Sequence, residues 1–583
     1  MFCAHRSPPR FSIRQRARRI AIFLVVAALL LNAATADAGT GKVVGRATYE
    51  KVPFRDKAGK LGLQTNHPEI KPIVGAKVQL RAVDGNKILG VATFTAADGG
   101  FQIPWQVDQS TRAYVELLAA SQHVSVVNNR SPSEVYRMAT PEFVLDATDI
   151  QLETPLLARD SANIAGAFNI LECVRRADDF LQKEGGVKAE DLLRNPITVR
   201  WTTGFNGPPG ANWITHFSRK DNSAFIYGDR SVDSDEFDDF VILHEYGHFV
   251  ASVFSSIQDS PGFNHHPGCK LDPRVAWSEG WATFFTSAVL NDPRYVDTVT
   301  VKGEQVGGGH DLDDFRRGSF GKRPRSYDIG KFGGYWDEHT VACTLWALFD
   351  ARPSRPARHM AVGFGPIWQI VTEGMHDRRH VTLIDFCDLF VERNKSNAEL
   401  VKGFVELLAE RNITYRPGAV PSVDVPYIRP LLVGAPQEGE VNSLLGMSAP
   451  NITDRYFHLK SSAIYTFQLD KKAKVKFHME IKDSDTPETA DLDLWLYQKR
   501  SEGFASQAVN GVGDTETIIQ DLAPGLYYIE VKAFGASSGR FRLTATFAAD
   551  GIKPNLGPSG SGGIGAELQD IRDRQTPVDR KLP

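Results

Sequence analysis

The sequence predicts a multidomain chain in which an α+β core is flanked by two antiparallel β-sandwich domains. Three observations carry this. The chain has 583 residues, too many for one hydrophobic core. Residues 43–155 and 452–549 each alternate short β-type runs with turn residues, as sandwiches do. Residues 156–415 between them change to apolar residues at helical spacing, with few strands.

The N-terminus comes first. Arg6, Arg10, Arg14, Arg16, Arg18 and Arg19 precede an apolar run from Ile20 to Leu31, and Ala36-Asp37-Ala38 places small residues before Gly39. This is the layout of a secretory signal peptide, residues 1–38. The run falls short of the ~20 apolar residues that a membrane span needs. The expectation is a secreted protein, periplasmic or extracellular, with no stable membrane insertion after signal removal. The formal charge of −3 gives no broad basic field for nucleic acid. Cys3 leaves with the signal. Cys173, Cys269, Cys343 and Cys387 either form disulfides in an oxidising compartment or stay as buried thiols.

Strands are expected at 43–49, 76–82, 87–95, 100–103, 113–118, 123–127 and 142–152, with turns at Asp84-Gly85-Asn86 and Asp98-Gly99-Gly100. The order Val43-Val44-Gly45-Arg46, then Val74-Gly75-Ala76-Lys77-Val78-Gln79-Leu80, then Asp98-Gly99-Gly100-Phe101 resembles the carboxypeptidase regulatory-like, prealbumin-type domain. Its implied role is interaction or spacing. His67 and His123 are lone histidines, read as surface or satisfied groups.

In the core, residues 161–183 read as a helix, with Ile164, Phe168, Leu171, Val174 and Phe180 near helical spacing. Strands follow at 196–201 and 224–227, and one strand is expected to be an edge to which a peptide adds. Asp233, Asp235, Glu236, Asp238 and Asp239 then suit a helix N-terminus. Phe240, Val241, Leu243, Phe249, Val250, Val253 and Phe254 make the next helix apolar nearly all round, hence buried.

Inside that helix lies His244-Glu245-Tyr246-Gly247-His248. Residues four apart share a helix face, so His244 and His248 can offer two imidazole nitrogens to one ion. Glu245 can reach a water there. A zinc hydrolase needs this set: neutral nitrogen ligands, an open position and a carboxylate to take a proton. By chance the array is expected at roughly 1–2% in a chain of this length. Two histidines and a glutamate in a buried helix also need partners.

The third ligand is not the His-x-x-Gly-x-x-His continuation, because Phe249 to Phe254 follow His248 directly. A second helix supplies it. Asp272-Pro273 gives a cap and a proline start, the helix runs 274–290, and it stops at Asn291-Asp292-Pro293. Glu279 is its sole acid among Val, Ala, Trp and Phe. A buried unpaired carboxylate is costly, and ligation of Zn2+ by His244, His248 and Glu279 removes that cost.

His-Glu-x-x-His followed by Ser278-Glu279-Gly280-Trp281-Ala282-Thr283 resembles the gluzincin metallopeptidases, the broad class of thermolysin and fungalysin. The resemblance implies an α+β gluzincin metallopeptidase core over 156–415. One departure matters. Thermolysin-type enzymes carry Glu-x-x-x-Asp, whose Asp steadies a ligand histidine, and here Thr283 stands in that place. The class also has a downstream Tyr or His that stabilises the oxyanion. Tyr335 is the first choice, His339 the second, and His310, read in a Gly307–Gly309 loop, the third. His265-His266, in a Gly/Pro-rich loop between the ligand helices, is read as a solvated loop, with lining the cleft as the alternative. Calcium is a second candidate cofactor at the 233–239 acids, although their spacing does not match an EF-hand and helix capping accounts for them better.

Helices are expected at 364–373, 382–393 and 398–411. A Pro-rich linker spans 416–451, and strands follow at 455–459, 464–469, 474–481, 491–497, 515–520, 526–533 and 540–547. Asp491-Leu-Asp-Leu-Trp-Leu-Tyr497 with Leu522-Ala-Pro-Gly-Leu-Tyr-Tyr-Ile-Glu-Val531 resembles the bacterial pre-peptidase C-terminal domain. Asp491 and Asp493 are expected to face solvent together. The Gly/Ser/Pro-rich residues 550–583 are expected to be disordered.

The functional expectation is a secreted zinc peptidase acting on a protein or peptide substrate, with Glu245 as general base. The alternatives are a catalytically inactive zinc-binding surface protein and a non-peptidase zinc amidase.

Overall fold

The structure is a computed structural model. It describes residues 39–548 apart from 58–59, 147, 209–213, 256–264, 266, 269, 316–318, 322–332, 352–359, 377, 414, 416–428, 443–460, 483–489, 499–505, 511–512, 514, 534–536 and 549–583. The expected signal peptide, the strand at 455–459, the C-terminal tail, His266, Cys3 and Cys269 lie outside the described residues. Among those described, the chain is β-rich and multidomain, with several antiparallel sheets and a helical cluster. No helix there is long and apolar enough to cross a membrane.

The chain forms two compact units. The first takes residues up to Thr48, Pro72–Leu118 and Arg137–Leu157. Its strands are β1 (Gly39–Lys51, up to Thr48), β2 (Lys77–Ala82), β3 (Ile88–Phe94), β4 (Gly100–Val107) and β5 (Thr111–Leu118). β1 pairs antiparallel with β4, and β2 with both β3 and β5. β4 buries Phe101, Ile103, Trp105 and Val107 while Gln102, Pro104 and Gln106 face outward. That two-residue period is what a half-buried strand requires. The expected strand at 123–127 does not belong to this unit. β6 (Val124–Asn128) lies in the second unit, where it pairs in parallel with β7 (Ile197–Trp201). Val124, Val126 and Val127 are buried, and a strand covered on both faces suits a parallel pairing better than a sandwich edge.

The second unit holds Tyr49–Lys71, Ala119–Tyr136 and everything from Ala158 onward. After β6 come α1 (Ala165–Glu184), β7, β8 (His216–Ser218) and β9 (Ser223–Phe225). The sheet runs Ser131–Val135, β6, β7, β9, β8, so β8 is an edge, antiparallel to β9. α2 (Asp239–Phe254) and α3 (Pro273–Leu290) pack side by side, and α4 (Glu338–Phe349) packs on α3. Between α3 and α4 lies a hairpin of β10 (Arg294–Val301) and β11 (Glu304–Asp311). α5 (Phe364–Gln369), α6 (Leu383–Arg393) and α7 (Ala398–Glu410) follow.

α3 is apolar all round because it is the centre of this cluster. Trp277, Trp281, Phe284 and Phe285 are fully buried, and Trp281 stacks on Phe285 and on Trp368 of α5. Each such side chain contributes roughly 1.5–3 kcal/mol by leaving water. The Asp272 side chain accepts from Arg274 N, Pro273 begins the helix, and Asn291 ends it at φ 53°. Cys173, Cys343 and Cys387 are buried free thiols.

The C-terminal strands close a second sandwich. One sheet runs β12 (Gln437–Asn442), β18 (Ser538–Phe547), β14 (Ala473–Lys482), β16 (Glu516–Leu522). The other runs Arg429–Pro430, β13 (Ser462–Leu469), β17 (Gly525–Ala533), β15 (Leu492–Gln498), Ser506–Ala508. Part of the expected linker is therefore strand: Val441 of β12 and the neighbouring Leu431 are buried in the sandwich core.

Candidate metal centre

α2 places His244, Glu245 and His248 inside the helical cluster, with His244 and Glu245 buried. Small residues let the neighbours close in. A Cβ on Gly247 would stand 3.1 Å from Ala282 Cα, and one on Gly280 2.5 Å from Val341 Cβ. With α2, α3 and α4 this close, Glu279 reaches the histidine pair. His244 Nε2 and His248 Nε2 are 3.2 Å apart, and Glu279 Oε2 lies 3.1 Å from the first and 3.2 Å from the second. Bonds of about 2.0–2.1 Å to zinc would set tetrahedral ligands roughly 3.3–3.4 Å apart. Two imidazole nitrogens and one carboxylate oxygen at this spacing fit three ligands of such a site.

The far side of each imidazole is also met. Thr283 Oγ1 is 3.3 Å from His244 Nδ1, and Ser278 Oγ is 3.3 Å from His248 Nδ1. Hydroxyls there can accept the Nδ1–H and leave Nε2 as the coordinating atom. Thr283 thus occupies the place where the resemblance led to an aspartate. On the back of α2, Tyr246 Oη donates to Asp178 Oδ1 at 2.5 Å, and His123 Nε2 lies 3.3 Å from Asp178 Oδ2. His123 is the satisfied histidine that its isolation in sequence suggested.

A third imidazole joins the group. His265 Nε2 stands 3.5 Å from Glu279 Oε2, and its Nδ1 is 2.7 Å from Glu338 Oε2 at the start of α4. The loop carrying His265 is fastened to the same helix start. Asp337 Oδ1 accepts from Gly268 N at 2.8 Å, its Oδ2 accepts from Thr340 N and Oγ1, and Leu271 N donates to Trp336 O. Burial pushes the Asp337 carboxyl up to about 6. The reading of His265 as a solvated loop residue is corrected. Its Gly/Pro-rich neighbours look like surface, and the two carboxylates that draw it inward, Glu279 and Glu338, are distant in sequence.

The charges are strongly interdependent. Burial presses down the pKa of His248 and of His265, but the carboxylates that face them, Glu279 foremost and Glu245 in the same direction, together reverse it at both. His265, which also faces Glu338, rises to about 10. Glu279 is held well below the usual carboxylate range: burial opposes this, and His265 and His248 overcome it. Glu245 is buried and its charge is felt by both imidazoles.

His339 turns its Nε2 to Cys343 Sγ at 3.3 Å inside α4, where burial holds it well below the usual histidine pKa. Tyr335 is buried against Trp336, with ring centroids 5.1 Å apart. His310 is not in a loop: Gly307–Gly309 and His310 form part of β11, paired to 295–298 of β10. The glycines mislead because they look like a turn. Gly309 is needed since a Cβ there would come within 1.8 Å of Tyr295 O. His310 stacks on Tyr295, whose ring packs 5.7 Å from His244. Tyr295 had no motif to mark it.

The acidic run also differs from expectation. Asp238 is the N-cap residue of α2, but its side chain makes no capping hydrogen bond. Its carboxylate accepts from Thr298 N and Oγ1 at 2.8 and 2.7 Å, because the β10–β11 hairpin covers this helix start. Asp239 pairs with Lys51 and accepts from Asn169. Asp233 and Asp235, two of the acids considered for calcium, gather with Asp297, their ligand atoms within 4.8 Å of one another. Burial and the surrounding carboxylates raise the Asp235 pKa far above the ordinary value.

Comparison with known proteins adds one sequence family. Residues 188–357 match the family described as Mycolysin C-terminal domain, and that stretch contains all three ligand candidates. Among solved structures, the precursor of protealysin, a metalloproteinase from Serratia proteamaculans, is similar at 10% identity over 49% of this chain and 86% of that one, with a TM-score of 0.32. The pre-peptidase C-terminal domain of a Bacillus anthracis collagenase is similar at 13% identity over 21% of this chain and 100% of that one, with a TM-score of 0.16. Curated proteins gave no match.

Proposed function

We propose that the chain is a secreted zinc peptidase whose metal is held by His244, His248 and Glu279. The observation that carries this reading is the triangle of their three ligand atoms, 3.1–3.2 Å on each side. The Mycolysin C-terminal domain match over the same residues supports it. When bound, zinc supplies Lewis acidity and lowers the pKa of water toward about 7. Glu245, next to His244 on α2, takes the proton of the attacking water and returns it to the leaving amine. His265 is the imidazole placed to stabilise the oxygen on which negative charge develops, because Glu338 steadies its Nδ1 while its Nε2 faces Glu279. β8, the outermost strand of its sheet and packed against α2, offers an extended peptide a backbone edge beside the site.

The test uses the purified chain, metal analysis and casein digestion with and without a chelator. Chelator stops digestion and zinc restores it. Glu245→Gln keeps the zinc and lowers turnover by at least on the order of 100-fold, and His265→Gln lowers kcat by a similar factor with zinc retained. Undiminished digestion by Glu245→Gln would sink the mechanism. Zinc binding without cleavage of any protein would favour a non-catalytic metal-binding protein.

A further inference from the structure

β15 alternates two kinds of buried residue. Leu492, Leu494 and Leu496 enter the core of the C-terminal sandwich. Asp493, Trp495 and Tyr497 point the opposite way and are equally buried, at 4–6% exposure. β17 repeats this: Ile529 and Val531 face the core, while Tyr528 and Glu530 are buried behind it. Trp495, Tyr497 and Tyr528 form an apolar cluster of their own. An isolated sandwich leaves its outer faces to water, so the expectation of a solvent-facing Asp493 is corrected. Arg274, Arg379 and His380 of the helical cluster and its loops cover Tyr497, Tyr528 and Glu530 on this face.

The cover is polar and specific. Arg379 lies over the Tyr497 ring at 4.8 Å, and His380 sits edge-on to Tyr497 and Tyr528 at 5.2 and 5.6 Å. Arg274, second residue of α3, reaches the Glu530 carboxylate: Nη2 is 3.1 Å from Oε1, and Tyr497 Oη donates to Oε2 at 2.9 Å. The Arg274 guanidinium also forks onto Asp272, and Nη1 lies 3.2 Å from His380 Nδ1. Arg274, Asp272, Glu530 and His380 are all buried. A cation at a helix N-terminus is opposed by the helix dipole, and a buried charge lacking its partner is strongly destabilising. Arg274 is therefore poorly placed for α3 alone and well placed to join α3 to the sandwich. Five residues further along the same helix, about 7.5 Å in rise, stands Glu279.

We propose that Arg274 and Glu530 are positioning residues for the metal site: through them the C-terminal sandwich fixes the start of α3 and so holds Glu279 in register with His244 and His248. This rests on the zinc reading above. On this view the sandwich is a working part of the centre rather than a removable appendage.

The experiment uses the full chain and two readouts. Zinc affinity is measured by competition with a chromogenic chelator, and hydrogen exchange at amides 274–279 is measured with excess chelator present. Glu530→Gln weakens zinc binding tenfold or more and speeds exchange at those amides. Tyr497→Phe, a milder change that removes one donor to Glu530, shifts both readouts the same way by less. Glu480→Gln, at an exposed salt bridge to Lys482 on the same sandwich, changes neither. Zinc affinity within twofold of the parent in Glu530→Gln and Tyr497→Phe overturns the proposal, even if melting temperature falls, since that is support of the fold alone. If the parent binds no zinc, the metal reading fails and the exchange measurement alone decides: unchanged exchange overturns the hold on α3, faster exchange upholds it.

Discussion

Thr283 is the residue at which the sequence resemblance and the site geometry meet. A carboxylate on a ligand histidine fixes its tautomer and increases its basicity. The Thr283 hydroxyl at 3.3 Å from His244 Nδ1 can fix the tautomer but brings no charge. Thr283→Val keeps the shape and removes the acceptor, so zinc affinity should fall by about tenfold, with the fold unchanged by circular dichroism. Chelator competition measures it, and unaltered affinity would mean that the Thr283 contact does not support the ligand. That His244, His248 and Glu279 come together was legible in the sequence because each follows from a local rule: four-residue helical spacing, or one acid in an apolar helix. His265, Glu338 and Tyr295 were not, because they meet the others only through loops and a hairpin that no periodicity marks.

At the level of elements, the helices were readable nearly to their ends. α3 was bounded by Asp272-Pro273 and by Asn291-Asp292-Pro293, and it runs Pro273–Leu290. Caps and prolines act within one turn, so sequence records them. The β10–β11 hairpin was missed because Gly307–Gly309 mimic a turn, and β6 was given to the wrong sheet because its partner β7 lies some seventy residues away. Closeness of α2, α3 and α4 rests on small residues as much as on aromatic packing. Gly280 of α3 faces Val341 and the Glu338 carbonyl of α4, at 2.5 and 2.7 Å from an added Cβ. Backbone is one of those neighbours, so Gly280→Ala should force α3 and α4 apart and destabilise by about 1–3 kcal/mol. Denaturant unfolding reads that cost. Because Glu279 precedes Gly280 and Glu338 holds His265, the same variant should also bind zinc more weakly. A Gly280→Ala protein as stable as the parent would show that the two helices have slack.

Across the whole molecule, the contact between the helical cluster and the C-terminal sandwich is held by charge in a buried setting, which makes it sensitive to acid. Glu530 faces Arg274, His380 and Lys532, with Asp272 and Tyr497 beside them. Burial alone would raise its pKa, and the cations, Arg274 foremost, reverse that and hold it far below the usual carboxylate range. An acid whose folded pKa is depressed stabilises the fold above its unfolded value, about 4.3 for glutamate. That contribution fades as pH drops toward the folded value, because the unfolded chain then binds the proton first. The stability gap between the parent and Glu530→Gln should therefore be widest and flat above about pH 5.5, and should narrow steadily below about pH 4.5. Paired denaturant titrations from pH 3 to 8 measure the gap directly. A gap that stays constant down to pH 3 would mean that Glu530 is not held ionised by Arg274, and the acid sensitivity of the contact would have to come from other groups.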